Sequence, residues 1–491
     1  MAKRLITRRR FLGGSAAAAA LAMTRGLSGC SSSSPISALT GGMLREPGSL
    51  PDPSRPAGVA DDRLPFDHVI VVMMENHSFD NYFGMLPLRG QPRADGFTFN
   101  DHGEPTNANP LDGGFQRAFH LHGTCQPNGV TQSWNGTHAQ VDGGRMDGFA
   151  KTDSEAMGYW DEDDIPFYYS LAKTFCLGNR CYASAPCQTY PNRRFLYAGT
   201  ASGMISTSNS TFTLPPPRNG TLMDVMSRHG VGWRSYFSDL PALGIIPQTI
   251  EKHPANFSSV AQFFLDCALG TLPAVSFVDP EFGAVDIVGG TLFSGLKNAP
   301  NLPASIAASI SDLGNKVNAQ GGDEENPQDI AIGENFVSRV VNAVLASPLW
   351  ARTLLVWTYD EHGGYYDHVP PVSMVKPDDI PPSLSHDDTP GAFDITGLRV
   401  PTVVASPYSR SNGVTDVVHD HTSIIATIAA KWNLPALTHR DAQATTLLDF
   451  LDLDSPPALL TPPPLAAPGM PTLGLSRCEG TAPAPVIRPS P

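Results

Sequence analysis

The sequence predicts an α/β fold: a central, mostly parallel sheet flanked by helices and interrupted by loop-rich insertions. Three observations carry this expectation. Unbroken apolar runs have strand length, helix-period segments lie between them, and two long stretches are rich in Gly, Asn, Pro and Asp. A strand covered on both faces has no polar side, so it reads as continuous hydrophobic sequence. Val69-Ile70-Val71-Val72-Met73-Met74 is such a run, and the folded region begins just before it, near Leu64. Ala274-Val275-Ser276-Phe277-Val278 is a second candidate, Thr353-Leu354-Leu355-Val356-Trp357-Thr358-Tyr359 a third, and residues 400–405 a fourth. Residues 335–346 put Phe336, Val340, Val341 and Val344 at helical spacing, and residues 422–432 do the same behind Asp420, a suitable N-cap. Residues 90–150 and 286–327 lack periodicity and read as insertions over one face.

The flanks are of a different character. Arg8-Arg9-Arg10-Phe11-Leu12 precedes an Ala- and Leu-rich run, the pattern of a twin-arginine export signal. The apolar part, Phe11 to Met23, is shorter than the roughly 20 residues that span a bilayer, so removal of the signal is expected. Leu27-Ser28-Gly29-Cys30 resembles a lipobox, with Cys30 lipidated and Ser31 to Ser34 as a tether; an ordinary cleavage site with an incidental cysteine is the alternative. The expected organisation is signal, lipobox and tether over 1–34, a linker or loosely docked arm over 35–63, one catalytic domain over 64–455, and a Pro-rich tail over 456–491 tied down by Cys478. Such a protein is expected at the cell surface, in the periplasm or secreted.

With 41% hydrophobic residues in 491, the chain can bury a large core, and its formal net charge of −14 repels polyanions, which excludes nucleic acid as a partner. Apart from Cys30 there are Cys125, Cys176, Cys181, Cys187, Cys267 and Cys478, enough for three disulfides in an oxidising compartment. A zinc site at Cys176, Cys181 and Cys187 would lack both a fourth nearby ligand and CxxC spacing. A bridge from Cys187 to Cys176 or Cys181 would stiffen the segment ahead of Thr189.

Ligands of open α/β sheets sit beyond the carboxyl ends of the strands. The first apolar run leads into Glu75-Asn76-His77-Ser78-Phe79-Asp80-Asn81-Tyr82-Phe83-Gly84, and the third into Asp360-Glu361-His362-Gly363-Gly364-Tyr365-Tyr366-Asp367-His368-Val369-Pro370-Pro371. If these two strands are neighbours, Glu75, Asn76, Asp360 and Glu361 converge. Carboxylates so crowded either hold protons or bind a cation. An oxygen-rich set suits one divalent ion, with calcium, magnesium, manganese and zinc all open. Any one of these residues alone reads as a solvated loop or cap, but two such clusters at two strand ends outweigh that reading.

Both motifs resemble signatures of the bacterial phospholipase C and acid phosphatase family. Gly143-Gly144-Arg145-Met146-Asp147-Gly148-Phe149, Thr189-Tyr190-Pro191-Asn192-Arg193, Val400-Pro401, Ser406-Pro407-Tyr408 and Asp420-His421-Thr422-Ser423 extend the resemblance in the family's order, over about residues 66–450. The resemblance implies an alkaline-phosphatase-like layered fold and hydrolysis of phosphate mono- or diesters. It implies Thr189 as a nucleophile and Glu75, Asn76, Asp360 and Glu361 as ligands of a metal that also binds the Thr189 oxygen. His138 falls where the family has an active-site histidine, for contact with phosphate or leaving group. Arg193, Asn326 and His368 are candidate substrate contacts, although Arg193 beside Arg194 also reads as a solvated pair. His362 and His421 are weaker candidates that orient loops. One departure stands out: many members carry Asp-His-Pro where this chain has Glu324-Glu325-Asn326-Pro327. Asn326 can donate a hydrogen bond to phosphate but no proton at neutral pH. The expected activity is phospholipase C-like cleavage of phospholipids, with membrane contact through Cys30. The alternatives are a broad acid phosphatase and a surface-anchored binding protein without turnover.

Overall fold

The computed structural model describes residues 45–121, 123–126, 128–282, 322–471, 478 and 487–488. The expected export signal, Cys30 and its tether, and most of the 286–327 insertion lie outside these residues. The main sheet contains β1 (His68–Met74), β2 (Cys176–Gly178), β3 (Trp233–Phe237), β4 (Phe257–Ser259), β5 (Val275–Asp279), β6 (Thr353–Tyr359), β7 (Thr402–Ala405) and β8 (Gly413–Thr415). Their order is β8-β2-β7-β6-β1-β5-β3-β4. Neighbours run parallel except at β7, which is antiparallel to β6 and β2. All four apolar runs read from the sequence are strands of this sheet. β1 and β6 are paired with Met74 opposite Tyr359, so Glu75 and Asp360 leave the sheet side by side.

Seven helices matter here: α1 (Phe79–Phe83), α2 (Trp134–Val141), α3 (Pro166–Thr174), α4 (Thr189–Ala198), α5 (Val260–Leu269), α6 (Ile330–Leu345) and α7 (His421–Trp432). Side chains alternate along β1, so its two faces meet different layers. Ile70, Val72 and Met74 pack with Phe79 of α1, Leu171 of α3, Phe263 of α5 and Val337 of α6. Val69, Val71 and Met73 pack with Leu196 of α4 and with Ile425 and Ile428 of α7. Each such valine or isoleucine contributes roughly 1.5–3 kcal/mol relative to exposure. The fold is thus a mixed α/β sandwich with helices on both faces of the sheet.

α7 starts as expected, with the Asp420 side chain accepting from Thr422 N. α6 starts at Ile330, a turn earlier than the apolar period suggests, because Asp329 caps it and Gly333 is tolerated inside its first turns. The arm preceding the domain is docked: Asp61 N donates to Lys431 O and Gly58 N to Trp432 O, along the end of α7. The tail packs as a strap, with Leu459 buried and Cys478 bonded to Cys125. That disulfide joins Cys478, expected to tie the tail, to the first insertion. The other expected bridges are corrected: Cys176, Cys181, Cys187 and Cys267 are buried free thiols, so no bridge stiffens the segment before Thr189. Among the described residues, no helix is long and apolar enough to cross a membrane.

Candidate active site

At the end of β1 the chain turns sharply. Asn76 has φ +76°, and Glu75 N leaves the sheet pattern to donate to Asp323 O at 2.9 Å. The loop after β6 meets that turn at Gly363, whose φ is +65° and whose added Cβ would lie 1.8 Å from Asn76 O. Glycine is required there because two backbones touch. Thr189 is the first residue of α4, at the positive end of the helix dipole, and is 5% exposed. Asn192, one turn on, does the work expected of a disulfide. Its Oδ1 accepts from Ala185 N at 3.0 Å and its Nδ2 donates to Cys187 O at 2.7 Å, which fixes the segment presenting Thr189. Thr189 Oγ1 donates to Asn76 Oδ1 at 3.4 Å.

Arg193 follows Thr189 by four positions and so lies on the same helix face. Its Nη2 is 3.1 Å from Glu75 Oε1 and its Nε donates to Asp360 Oδ2 at 3.1 Å. Nη2 also donates to Met73 O and Met74 O, at 3.2 and 3.3 Å. The guanidinium thus ties the two strand ends together, and its Nη1 is buried without a hydrogen-bond partner among the described residues. The solvated-pair reading is corrected, since Arg193 and Arg194 are each 1% exposed, and Arg194 donates to Thr211 Oγ1 and Ile245 O. Burial works against the Arg193 charge, but Asp360 and Glu75 beside it leave its pKa raised. Asp279, at the end of β5, is raised by burial to about 6 while Arg193 acts to lower it.

Burial also raises Asp360, against the pull of Arg193, and lifts Glu361 far above the usual carboxylate range, with Asp360, Glu325 and Glu75 adding repulsion. Glu361 Oε1 is buried without a hydrogen-bond partner among the described residues. The residues at the two strand ends are oxygen-rich, with Glu75, Asn76, Thr189, Asp360 and Glu361, while Asn76 Nδ2 and Arg193 Nη1 are buried donors that, like Glu361 Oε1, have no hydrogen-bond partner among the described residues. That oxygen set fits a hard or intermediate divalent cation.

The histidines divide by task. His362 Nε2 donates to Gln140 Oε1 at 2.9 Å, which turns Nδ1 toward Glu361 Oε2 at 3.1 Å. His421 Nε2 donates to Asp360 O at 2.7 Å, and burial lowers its pKa to about 4, so it is neutral and orienting. His138 lies in α2 with Nδ1 2.7 Å from Trp134 O and its ring 4.5 Å from the Trp134 ring. Trp134 packs with Cys187 and Phe195, so His138 is joined to the Thr189 segment through that indole. His368 belongs to a separate charged group. Its Nδ1 is 2.7 Å from Asp80 Oδ2, and although burial opposes its charge, Asp80 and Asp95 hold its pKa up at about 10.

Among the described residues, two groups of side chains bring three ligand atoms within 4.8 Å of one another, Asp80–Asp367–His368 and His120–Asp161–Asp164; Glu75, Asp360 and Glu361, held apart by Arg193, are not such a group. The first is already neutralised by Arg399, 3.0 Å from Asp80 and 2.9 Å from Asp367. In the second, His120 pairs with Asp164 at 2.6 Å and Arg89 with Asp161 at 2.5 Å.

Asn326 comes out differently from its expected role. Its Nδ2 donates to Asn128 O at 2.8 Å and to Tyr365 Oη, so both amide hydrogens are committed and neither is left for a phosphate oxygen. Its neighbour Glu325 accepts from Gln132 Nε2 at 2.9 Å and adds negative charge near Glu361. Sequence reasoning missed Asn192 and Glu325. Asn192 was within reach, as the third residue after Thr189 in the quoted motif; Glu325 carried no signal beyond an acidic run before proline.

A model of the Phosphoesterase family matches residues 66–435. A non-specific phospholipase C1 of Arabidopsis thaliana is 29% identical over 429 residues, covering 80% of this chain and 72% of that one. A non-hemolytic phospholipase C of Burkholderia pseudomallei is 27% identical over 420 residues, covering 80% of this chain and 58% of that one. Phospholipase C A of Mycobacterium tuberculosis is 27% identical over 432 residues, covering 80% of this chain and 78% of that one.

Proposed function

From the premise that the chain belongs to the Phosphoesterase family and is a phosphoric ester hydrolase, we propose that it cleaves phospholipid phosphodiesters as a phospholipase C does, with Thr189 as nucleophile. The observation that carries the reading is that Glu75 and Asn76, and Asp360 and Glu361, directly follow two paired strands, with Thr189 Oγ1 3.4 Å from Asn76 Oδ1 and Arg193 joining Glu75 to Asp360. The phospholipase C names of the relatives support a diester substrate. Glu75, Asn76, Asp360, Glu361 and the Thr189 oxygen would hold one divalent ion, which supplies the positive charge that lowers the threonine pKa and offsets charge on the phosphate.

Thr189 Oγ forms a bond to phosphorus as the bond to the glycerol oxygen breaks in line; the hydroxyl proton passes to solvent water, and the departing alkoxide takes a proton from solvent water. Asn76 orients the attacking oxygen by accepting its hydrogen bond, and the α4 dipole stabilises the charge that develops on it. Water then hydrolyses the phosphothreonine and releases the phosphorylated head group. Asn192 and Arg193 keep the nucleophile and the carboxylates in register from behind. His138 is assigned the leaving-group contact. Export by the twin-arginine signal and lipidation of Cys30 would hold the enzyme at a membrane surface that carries its substrate.

The test compares p-nitrophenyl phosphorylcholine with p-nitrophenyl phosphate for the purified protein, its chelated form and Thr189→Ala. Burst release and turnover of the diester are expected, lost on chelation, restored by a divalent cation and absent from Thr189→Ala. Turnover of the monoester alone would make the protein a phosphatase. Unchanged activity in Thr189→Ala would remove the nucleophile assignment.

A further inference from the structure

Behind the candidate centre, Glu324 is a fully buried carboxyl to which the chemistry above gives no task. Its Oε1 accepts from Tyr168 Oη, and its Oε2 accepts from Tyr82 Oη at 2.7 Å and from Tyr359 Oη. These tyrosines come from α3, α1 and β6, so one side chain joins three elements. Three hydroxyl donors fix a carboxylate in both position and orientation. The backbone is shaped for the purpose. Glu324 has φ +83°, a left-handed conformation that glutamate adopts only when its surroundings impose it. His77 closes the cage, stacked on Tyr82 and Tyr365 at 4.4 and 5.2 Å, with Nε2 3.1 Å from Glu324 O. α6 makes room through Gly333, where an added Cβ would stand 2.2 Å from Glu324 Cγ.

What this grip fixes lies on either side of it. Asp323 O accepts the Glu75 N–H at 2.9 Å, and Tyr359 directly precedes Asp360. On the other side, Glu325 is held by Gln132 and Asn326 by Tyr365. We infer that Glu324 is a positioning residue for phosphoester hydrolysis: gripped by Tyr82, Tyr168 and Tyr359, it sets the 323–326 turn and, through the Asp323 carbonyl, the place of Glu75. The inference rests on the hydrolase reading of that centre.

The experiment uses the full chain with Mn²⁺, p-nitrophenyl phosphorylcholine as probe, and amide hydrogen exchange of the peptide containing Glu75. Glu324→Ala removes the grip, Glu324→Gln keeps its shape, and Gly333→Ala displaces the intact carboxylate. Glu334→Gln is the comparator, a buried carboxylate that holds the Phe167 and Gly469 N–H groups instead. A shift of about 1 Å in a catalytic group costs on the order of 100-fold, so Glu324→Ala and Gly333→Ala should lose about 10- to 100-fold in kcat with KM within about three-fold. Glu324→Gln should recover much of the loss. Exchange at Glu75 should quicken by about ten-fold in the two disruptive variants, in line with local opening. Glu334→Gln should lower Tm without that loss of kcat. Wild-type kcat in Glu324→Ala, or an equal loss of kcat in Glu334→Gln, overturns the inference. If Glu324→Ala does not fold, Gly333→Ala and Tyr168→Phe carry the same comparison. A wild-type protein that hydrolyses no phosphate ester sinks the hydrolase reading, whereas unchanged exchange at Glu75 in the variants sinks the positioning role by itself.

Discussion

Replacing Arg193 by methionine removes the guanidinium that touches both Glu75 and Asp360, at 3.1 Å each, and leaves the Met73 and Met74 carbonyls without that donor. Water cannot readily take its place, because Asp360 is 0% and Glu75 only 6% exposed. Removing one partner of a buried ion pair costs about 3–5 kcal/mol, since the other charge stays desolvated. Unfolding entropy near 2.1 cal/mol/K per residue amounts to about 1 kcal/mol/K for a chain of 491 residues, so Tm should fall by about 3–5 °C. Scanning calorimetry on chelated wild type and variant measures this. Arg193→Lys should recover less than half of the loss, because a point-like ammonium cannot fork between the two carboxylates. Adding a divalent cation should raise Tm more in Arg193→Met than in wild type, because the variant centre carries one more uncompensated negative charge. A variant that melts within about 1 °C of wild type but shows a raised KM would refute this reasoning and return Arg193 to the substrate.

Three further perturbations probe the same architecture. Gly363→Ala puts a Cβ 1.8 Å from Asn76 O, so it should cut hydrolysis by roughly 100-fold; an active variant would show that the two strand-end loops need not touch. His368 has a folded-state pKa of about 10 against an ordinary 6.5, so its contribution is complete below pH 6.5 and lost as pH rises through 10. Urea unfolding should show wild type losing up to about 4 kcal/mol across that window and His368→Gln losing less, and equal slopes would remove His368 as the cause. Reducing the Cys125–Cys478 bond should cost about 2–4 kcal/mol and, because Cys478 N donates to Pro327 O, speed exchange of the amides around residue 327; unchanged protection there would make the strap incidental.

How much of this is legible in the sequence depends on where each element's stability comes from. β1, β5, β6 and β7 are legible because both their faces are covered, which forces apolar residues at successive positions. β2 is only Cys176–Gly178, and β3 is Trp-Arg-Ser-Tyr-Phe, so neither carries a local pattern. They are strands because neighbours supply hydrogen bonds and packing, and tertiary context of that kind overrides local preference. The cysteines divide in the same way. Cys478 reads as a tether for the tail, but its partner lies 353 positions away and nothing in the spacing names it.

The site obeys the same logic. Glu75, Asn76, Asp360 and Glu361 stand out as polar residues directly behind apolar runs, and only the adjacency of β1 and β6 had to be assumed. Arg193 shows what that assumption leaves out: helical spacing puts it on the Thr189 face, yet whether it meets phosphate or carboxylate depends on how close the two strand ends come. Glu324 lies beyond local reading. Asp323-Glu324-Glu325 falls in the stretch read as an insertion without periodicity, where an isolated charge would stay in water. It becomes a core residue because three hydroxyls arrive from positions 242, 156 and 35 residues away. Its burial is therefore a consequence of the assembled sheet and its helices. Gly333→Ala, which keeps Glu324 but crowds its side chain from α6, should disturb the centre as surely as losing the carboxyl group itself.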